Sequence, residues 1–173
     1  FFKGGFFLFQ IAVGRQRSSL LFLLVGEGPR KEARQAQVAR RGLSPVRFLP
    51  FQPRERLAES LSAADLHLVT MRPELEGLVV PSKLYGALGA GRPVLFLGPD
   101  GSEAARVVRD HNCGTVLPEA AGTALADAVR RWHESPDRWA AGAEQAHAAV
   151  AGARADAVEQ FDTLLRHVLD VNT

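Results

Sequence analysis

The chain has 173 residues, 46% hydrophobic and 23% charged, with a formal net charge of +2. This length suits one domain with a core of useful size, and the near-neutral charge leaves no electrostatic footprint for nucleic acid. A single cysteine, Cys113, excludes an internal disulfide and a multi-cysteine metal site, and it permits a reducing, cytoplasmic setting. In chain order, residues 1–19 come first and do not fit the pattern that follows. Phe1-Phe2-Lys3-Gly4-Gly5-Phe6-Phe7-Leu8-Phe9 is aromatic-rich but far too short to span a bilayer. It has no signal-peptide cleavage pattern and no initiating methionine, which suggests a fragment or a processed chain. Phe6 to Val13 reads as a strand, and Leu20 to Val25 is a clear one. A parallel pair needs a crossover of about a dozen residues or more, so these two strands pair antiparallel or not directly at all. Residues 1–19 therefore read as an atypical start with an edge strand, and residues 20–173 as one further domain.

From Leu20 onward, strands and helices alternate regularly, as in an α/β protein with a mostly parallel sheet. Gly26-Glu27-Gly28-Pro29 is a turn whose glycines let backbone approach a ligand at a strand's carboxyl end. The equally ready reading is a plain tight turn. Arg30 to Arg41 is a charged helix with Ala33, Ala36, Val38 and Ala39 along its apolar side. Its basic residues Arg30, Lys31, Arg34, Arg40 and Arg41 read as a solvated face. Val46 to Phe51 holds the next short strand, Arg54 to Ala63 a helix, and Asp65 to Val69 a further strand. Asp65 reads as a structural cap.

Thr70 to Val80 is a loop carrying Glu74, Glu76 and Gly77, and it leads through Pro81-Ser82-Lys83 into a helix reaching Ala90. Pro81 suits a first helical turn and Gly91 the position after a helix. Free N–H groups beside Ser82 and Lys83 are what a phosphate needs, although an ordinary loop-helix unit has them too. Val94 to Leu97 reads as a strand buried on both faces. Ser102 caps a helix from Glu103 to Asp110, and Thr115 to Leu117 is the final strand. Helices follow over Ala121 to His133, Asp137 to about Ala151, and Ala155 to Val171, the last with Val158, Phe161, Leu164, Leu165 and Val168 at helical spacing. Trp132 and Trp139 read as packing around the Pro136 corner. The histidines show no ligand spacing, so no metal and no cofactor is expected.

The segment PSKLYGALGAGRPV resembles the retaining glycosyltransferases of family 4, in the branch that builds bacterial surface polysaccharides. Further matches occur in order: Val25-Gly26-Glu27-Gly28-Pro29, Val46 to Phe51, Ala64-Asp65-Leu66, Gly101-Ser102-Glu103 and Asn112-Cys113-Gly114. The resemblance implies the C-terminal, nucleotide-sugar-binding half of a GT-B fold. It implies a nucleoside diphosphate sugar as donor, a UDP-sugar first, and a saccharide or lipid-linked acceptor held by a missing N-terminal domain. On the same ground, Lys83 and Glu74 are the catalytic candidates. Gly26, Glu27, Gly28, Leu49, Pro50, Phe51, Glu76, Gly77, Leu78, Val79, Val80, Pro81, Ser82, Tyr85 and Glu103 are the donor-binding candidates, with Leu49, Pro50 and Phe51 near the base.

This sequence departs from the family in two places. The family's Glu-x7-Glu pair is broken, because its second position falls on Gly86, and the first is Glu74 or Glu76. The unit that normally precedes Leu20 looks replaced. These residues alone are expected to be inactive in transfer, and a cytoplasmic location, including the cytoplasmic face of a membrane, is expected. Self-association through apolar surface left by the missing domain is a further expectation. Two alternatives stand beside this reading: a non-catalytic Rossmann-like interaction module, and half of a sugar-nucleotide epimerase.

Overall fold

The computed structural model describes residues 7–13, 20–118, 122–135 and 137–152. Its elements are β1 (Phe7–Val13), β2 (Leu20–Gly26), α1 (Lys31–Arg40), β3 (Val46–Leu49), α2 (Leu57–Ser62) and β4 (Leu66–Thr70). Then come α3 (Ser82–Gly89), β5 (Val94–Leu97), α4 (Glu103–Asp110), β6 (Gly114–Leu117), α5 (Gly122–Glu134) and α6 over residues 137–152. The expected helix from Ala155 to Val171 lies outside the described residues, as does Pro136.

The strands form one sheet in the order β3-β2-β1-β4-β5-β6. β2–β3, β4–β5 and β5–β6 pair in parallel, while β1 is antiparallel to both β2 and β4. The short link to β2 forces that reversal, as the connection length requires. The edge-strand reading of the N-terminal segment is corrected, because β1 lies inside the sheet. Phe9, Gln10 and Ile11 pair with Leu68, His67 and Leu66, filling the place between β2 and β4.

β5 divides the core. Val94 and Phe96 enter one cluster with Leu84 and Leu88 of α3, Val108 of α4, and Ala146 and Ala149 of α6. Leu95 and Leu97 enter the other with Ile11, Leu66, Leu117 and the α5 residues Ala128, Val129 and Trp132. Trp132 meets Trp139 edge-on at 5.4 Å between ring centroids, and its indole N–H donates to Thr115 Oγ1 at 3.1 Å. This pair is packing, as read. Cys113 is also core, and burial pushes its thiol up to about 11, which leaves it unreactive.

Three local expectations are corrected. α1 buries no residue: Ala33, Ala36 and Ala39 are exposed and Val38 is half-buried, since small alanines among charged neighbours offer little apolar area. The helix from Arg54 to Ala63 is a 3-10 turn over Arg54–Arg56 followed by the shorter α2. Pro81 is the N-cap residue of α3, one step before the helix, while Gly91 at φ +65 ends that helix as expected.

Polar side chains, those of Gln10 and His67 buried, hold the C-terminus of α2, where the last carbonyls have no intrahelical partner. Gln10 Nε2 donates to Ser60 O at 2.8 Å, His67 Nε2 meets Leu61 O at 2.9 Å, and Arg92 donates to Ser62 O at 2.7 Å. A carbonyl only accepts, so His67 carries its proton on Nε2. Its Nδ1 is buried without a hydrogen-bond partner among the described residues. Burial, joined by the Arg92 charge, lowers the His67 pKa to about 4.

Ser102 is buried, donates to Pro99 O at 2.8 Å and accepts from Ala105 N–H at 3.2 Å, so it caps α4. Replacing Ser102 by Ala should cost about 1–2 kcal/mol in denaturant unfolding, since both the cap and the Pro99 bond are lost. For His67, the unfolded chain binds the proton near pH 6.5 and the folded one only near 4. Its contribution is therefore complete above pH 6.5 and is lost as the pH falls to 4, by at most about 3 kcal/mol. Unfolding measured across that window should show this slope, and the His67→Gln variant, which keeps a donor for Leu61, should flatten it.

Candidate functional site

Because β2 to β6 all run in the same direction, their carboxyl ends share one edge of the sheet. Ligands of open α/β sheets bind at that edge. Every candidate from the sequence lies there or in the helical turn beyond it. Gly26, Glu27 and Gly28 end β2, Leu49, Pro50 and Phe51 end β3, and Glu74 to Ser82 follow β4. Glu103 opens α4 after β5. The reversed β1 brings Phe7 to this edge too, opposite Gly26. It also separates the β2 and β4 loops by two strand spacings, about 10 Å. Spacing along the sequence carried no sign of this.

On the β2 and β3 side, Lys31 at the start of α1 reaches back to Glu27 at 2.6 Å. The pair is solvent-facing and contributes little stability, but it offsets the charge of Glu27. Phe51 is 73% exposed and Leu49 38%, an apolar surface beside the glycine turn.

On the β4 and β5 side, the N-terminal turn of α3 presents Ser82, exposed, and Lys83, half-buried. Burial lowers the Lys83 pKa. Tyr85 is raised by burial, then by the nearby Glu103 carboxylate, against the opposing Arg106 charge. Glu103 itself is ion-paired with Arg106. Arg106 thus joins the cluster, which sequence reading missed because it looked like another exposed helix cation.

The loop between β4 and α3 starts with a 3-10 turn over Pro73–Leu75, and residues 72–80 are exposed. Leu78, Val79 and Val80 form its apolar tip. The Glu76 carboxylate lies against Gly101, where a Cβ would come within 2.5 Å of Oε1. A cavity of about 460 Å³ opens below, lined by Pro73, Gly98, Pro99, Asp100, Leu117 and Pro118, among others. A Cβ at Gly86 would point at Leu61 of α2, 3.6 Å away. A carboxylate at that position would therefore start from the α2–α3 contact. Among the described residues, no group of His, Cys, Asp or Glu is arranged to hold a metal ion, and no helix is long and apolar enough to cross a membrane.

The family model described as glycosyl transferases group 1 matches residues 5–135. The chain is 31% identical over 110 residues to the probable glycosyltransferase WbjE of Pseudomonas aeruginosa, which is 61% of this chain and 26% of that protein. It is 35% identical over 72 residues to the putative colanic acid biosynthesis glycosyl transferase WcaI of Escherichia coli (strain K12), covering 42% and 18%. Among solved structures it is similar to WaaG, a glycosyltransferase involved in lipopolysaccharide biosynthesis, with a TM-score of 0.59 and 28% identity. That match covers 75% of this chain and 33% of WaaG, so the chain spans a third or less of each of these relatives. With more than half of its length matched by the family, and a mixed sheet flanked by helices like that of a GT-B enzyme, this chain belongs to the group 1 glycosyl transferases.

Proposed function

We propose that these residues form the donor-binding part of a retaining glycosyltransferase of bacterial polysaccharide synthesis, with a nucleoside diphosphate sugar as donor. A UDP-sugar is the first choice. The observation that carries this reading is the N-terminal turn of α3 at the carboxyl edge of the sheet, with Ser82 exposed and Lys83 half-buried beside it. Helix N–H groups and a desolvated ammonium together suit a diphosphate. Lys83 stabilises charge developing on the leaving diphosphate, where an oriented cation contributes most to rate. Glu74 faces the donor sugar. The glycines at 26 and 28 admit close approach of backbone, and the exposed Phe51 ring gives the base a face to stack on.

The acceptor and the remaining catalytic groups belong to the part of the enzyme outside these residues, since the match covers a third or less of each of these relatives. These residues by themselves then bind donor without turning over. The WcaI and WaaG resemblances favour a surface saccharide or lipid-linked acceptor.

Calorimetric titration with UDP, GDP and dTDP tests the reading. One of them, UDP first, should bind saturably. Ser82→Ala and Lys83→Ala should each weaken it about tenfold, equivalent to about 1.4 kcal/mol, with unchanged circular dichroism. Unaltered affinity in both variants would sink the assignment, and no binding to any nucleotide would favour the non-catalytic interaction module.

A further inference from the structure

We propose that Glu76 is a latch that holds the loop between β4 and α3 against the β5–α4 turn, and that Gly101 supplies the space the latch occupies. Among the described residues, the buried anchors of the loop stand at its two ends. Met71 is buried and donates its N–H to Leu97 O at 2.8 Å, and Leu84 is fully buried at the far end. Between them, residues 72–80 are all exposed. Glu76 spans the gap, its carboxylate lying where the Cβ of any residue but glycine at 101 would stand, 2.5 Å from Oε1 and 3.6 Å from Cδ. The next residue, Gly77, sits at φ +74 with open space around it, which makes it the pivot of the apolar tip.

The latch also ties two walls of the cavity together. Pro73 comes from the loop, while Gly98, Pro99 and Asp100 come from the turn that carries Gly101. The turn leads into the N-terminus of α4, an end that favours a nearby carboxylate. Glu76 is thus a positioning residue that sets where Leu78 to Ser82 lie. Its effect on donor affinity rests on the donor-binding reading above, whereas the latch itself rests on the contact alone.

Gly101 gives a clean test, because its backbone is outside the left-handed region and accepts alanine. The atom in the way is the end of a flexible side chain, so a methyl group displaces the carboxylate and leaves the fold. Hydrogen–deuterium exchange on the 173-residue chain is the measurement. Gly101→Ala and Glu76→Ala should each speed exchange over residues 72–80 about threefold, with the rest of the sheet unchanged. The double variant should be no faster than either single one, since both remove the same contact. Glu76→Gln, which fills the same space, should retain most of the protection. Unchanged exchange in both single variants, or additive effects in the double, would overturn the latch. Should Gly101→Ala fail to fold, the contrast between Glu76→Ala and Glu76→Gln decides. A chain that binds no nucleotide refutes the donor reading and leaves the exchange result to judge the latch on its own.

Discussion

Burial of β5 on both faces is the constraint from which the rest follows. Val94, Leu95, Phe96 and Leu97 are all buried, and alternate side chains enter separate clusters. Such a strand is stable only when helices cover both sides of the sheet. Helices on both sides are delivered by crossover connections, and repeated crossovers keep the strands parallel. Parallel strands end together, so the loops after β2, β3, β4 and β5 are gathered at one edge without any one of them being built for that purpose. The candidate site is a consequence of how the core is packed.

The polar clamp on α2 belongs to the same logic. A short helix docked over the sheet leaves carbonyl groups at its end without intrahelical partners. Gln10, His67 and Arg92 come from three different segments to meet them. Gln10 can do so only because β1 lies inside the sheet, beside β4. The reversed strand is therefore tied into the packing that positions the helix between the β3 and β4 loops.

Local chemistry was legible in the sequence, and non-local pairing was not. The apolar run Val94 to Leu97, the cap at Ser102 and the stop at Gly91 each act within a few residues, and each stands as read. The place of β1 depends on which strands accept it, a choice made by residues far along the chain. α1 failed for a related reason, because alanine spacing marks a helix face but not whether anything packs on it. Position 86 shows the same limit within the site. Its spacing matches the family's second glutamate, yet its Cβ direction leads to Leu61, a neighbour no local pattern reveals. The partnership of Glu76 with Gly101 was hidden for the same reason.

Charge at the edge has to be reconciled with the proposed anionic donor, since the loops and turns there carry Glu27, Glu74, Glu76, Asp100 and Glu103. Five carboxylates around a proposed diphosphate would repel it if they stood free. Three are neutralised locally: Glu27 by Lys31, Asp100 by Arg109 and Glu103 by Arg106. Each pair is exposed and adds little to stability, so its consequence is electrostatic rather than structural. Glu76 is turned aside onto Gly101. At the start of α3 the helix end is positive and Lys83 is half-buried beside it, while Glu74 stays on the loop as the carboxylate proposed to face the sugar. The acidity of this edge is thus partly offset through local ion pairs and one turned side chain, which is what the proposed binding of a phosphate there requires.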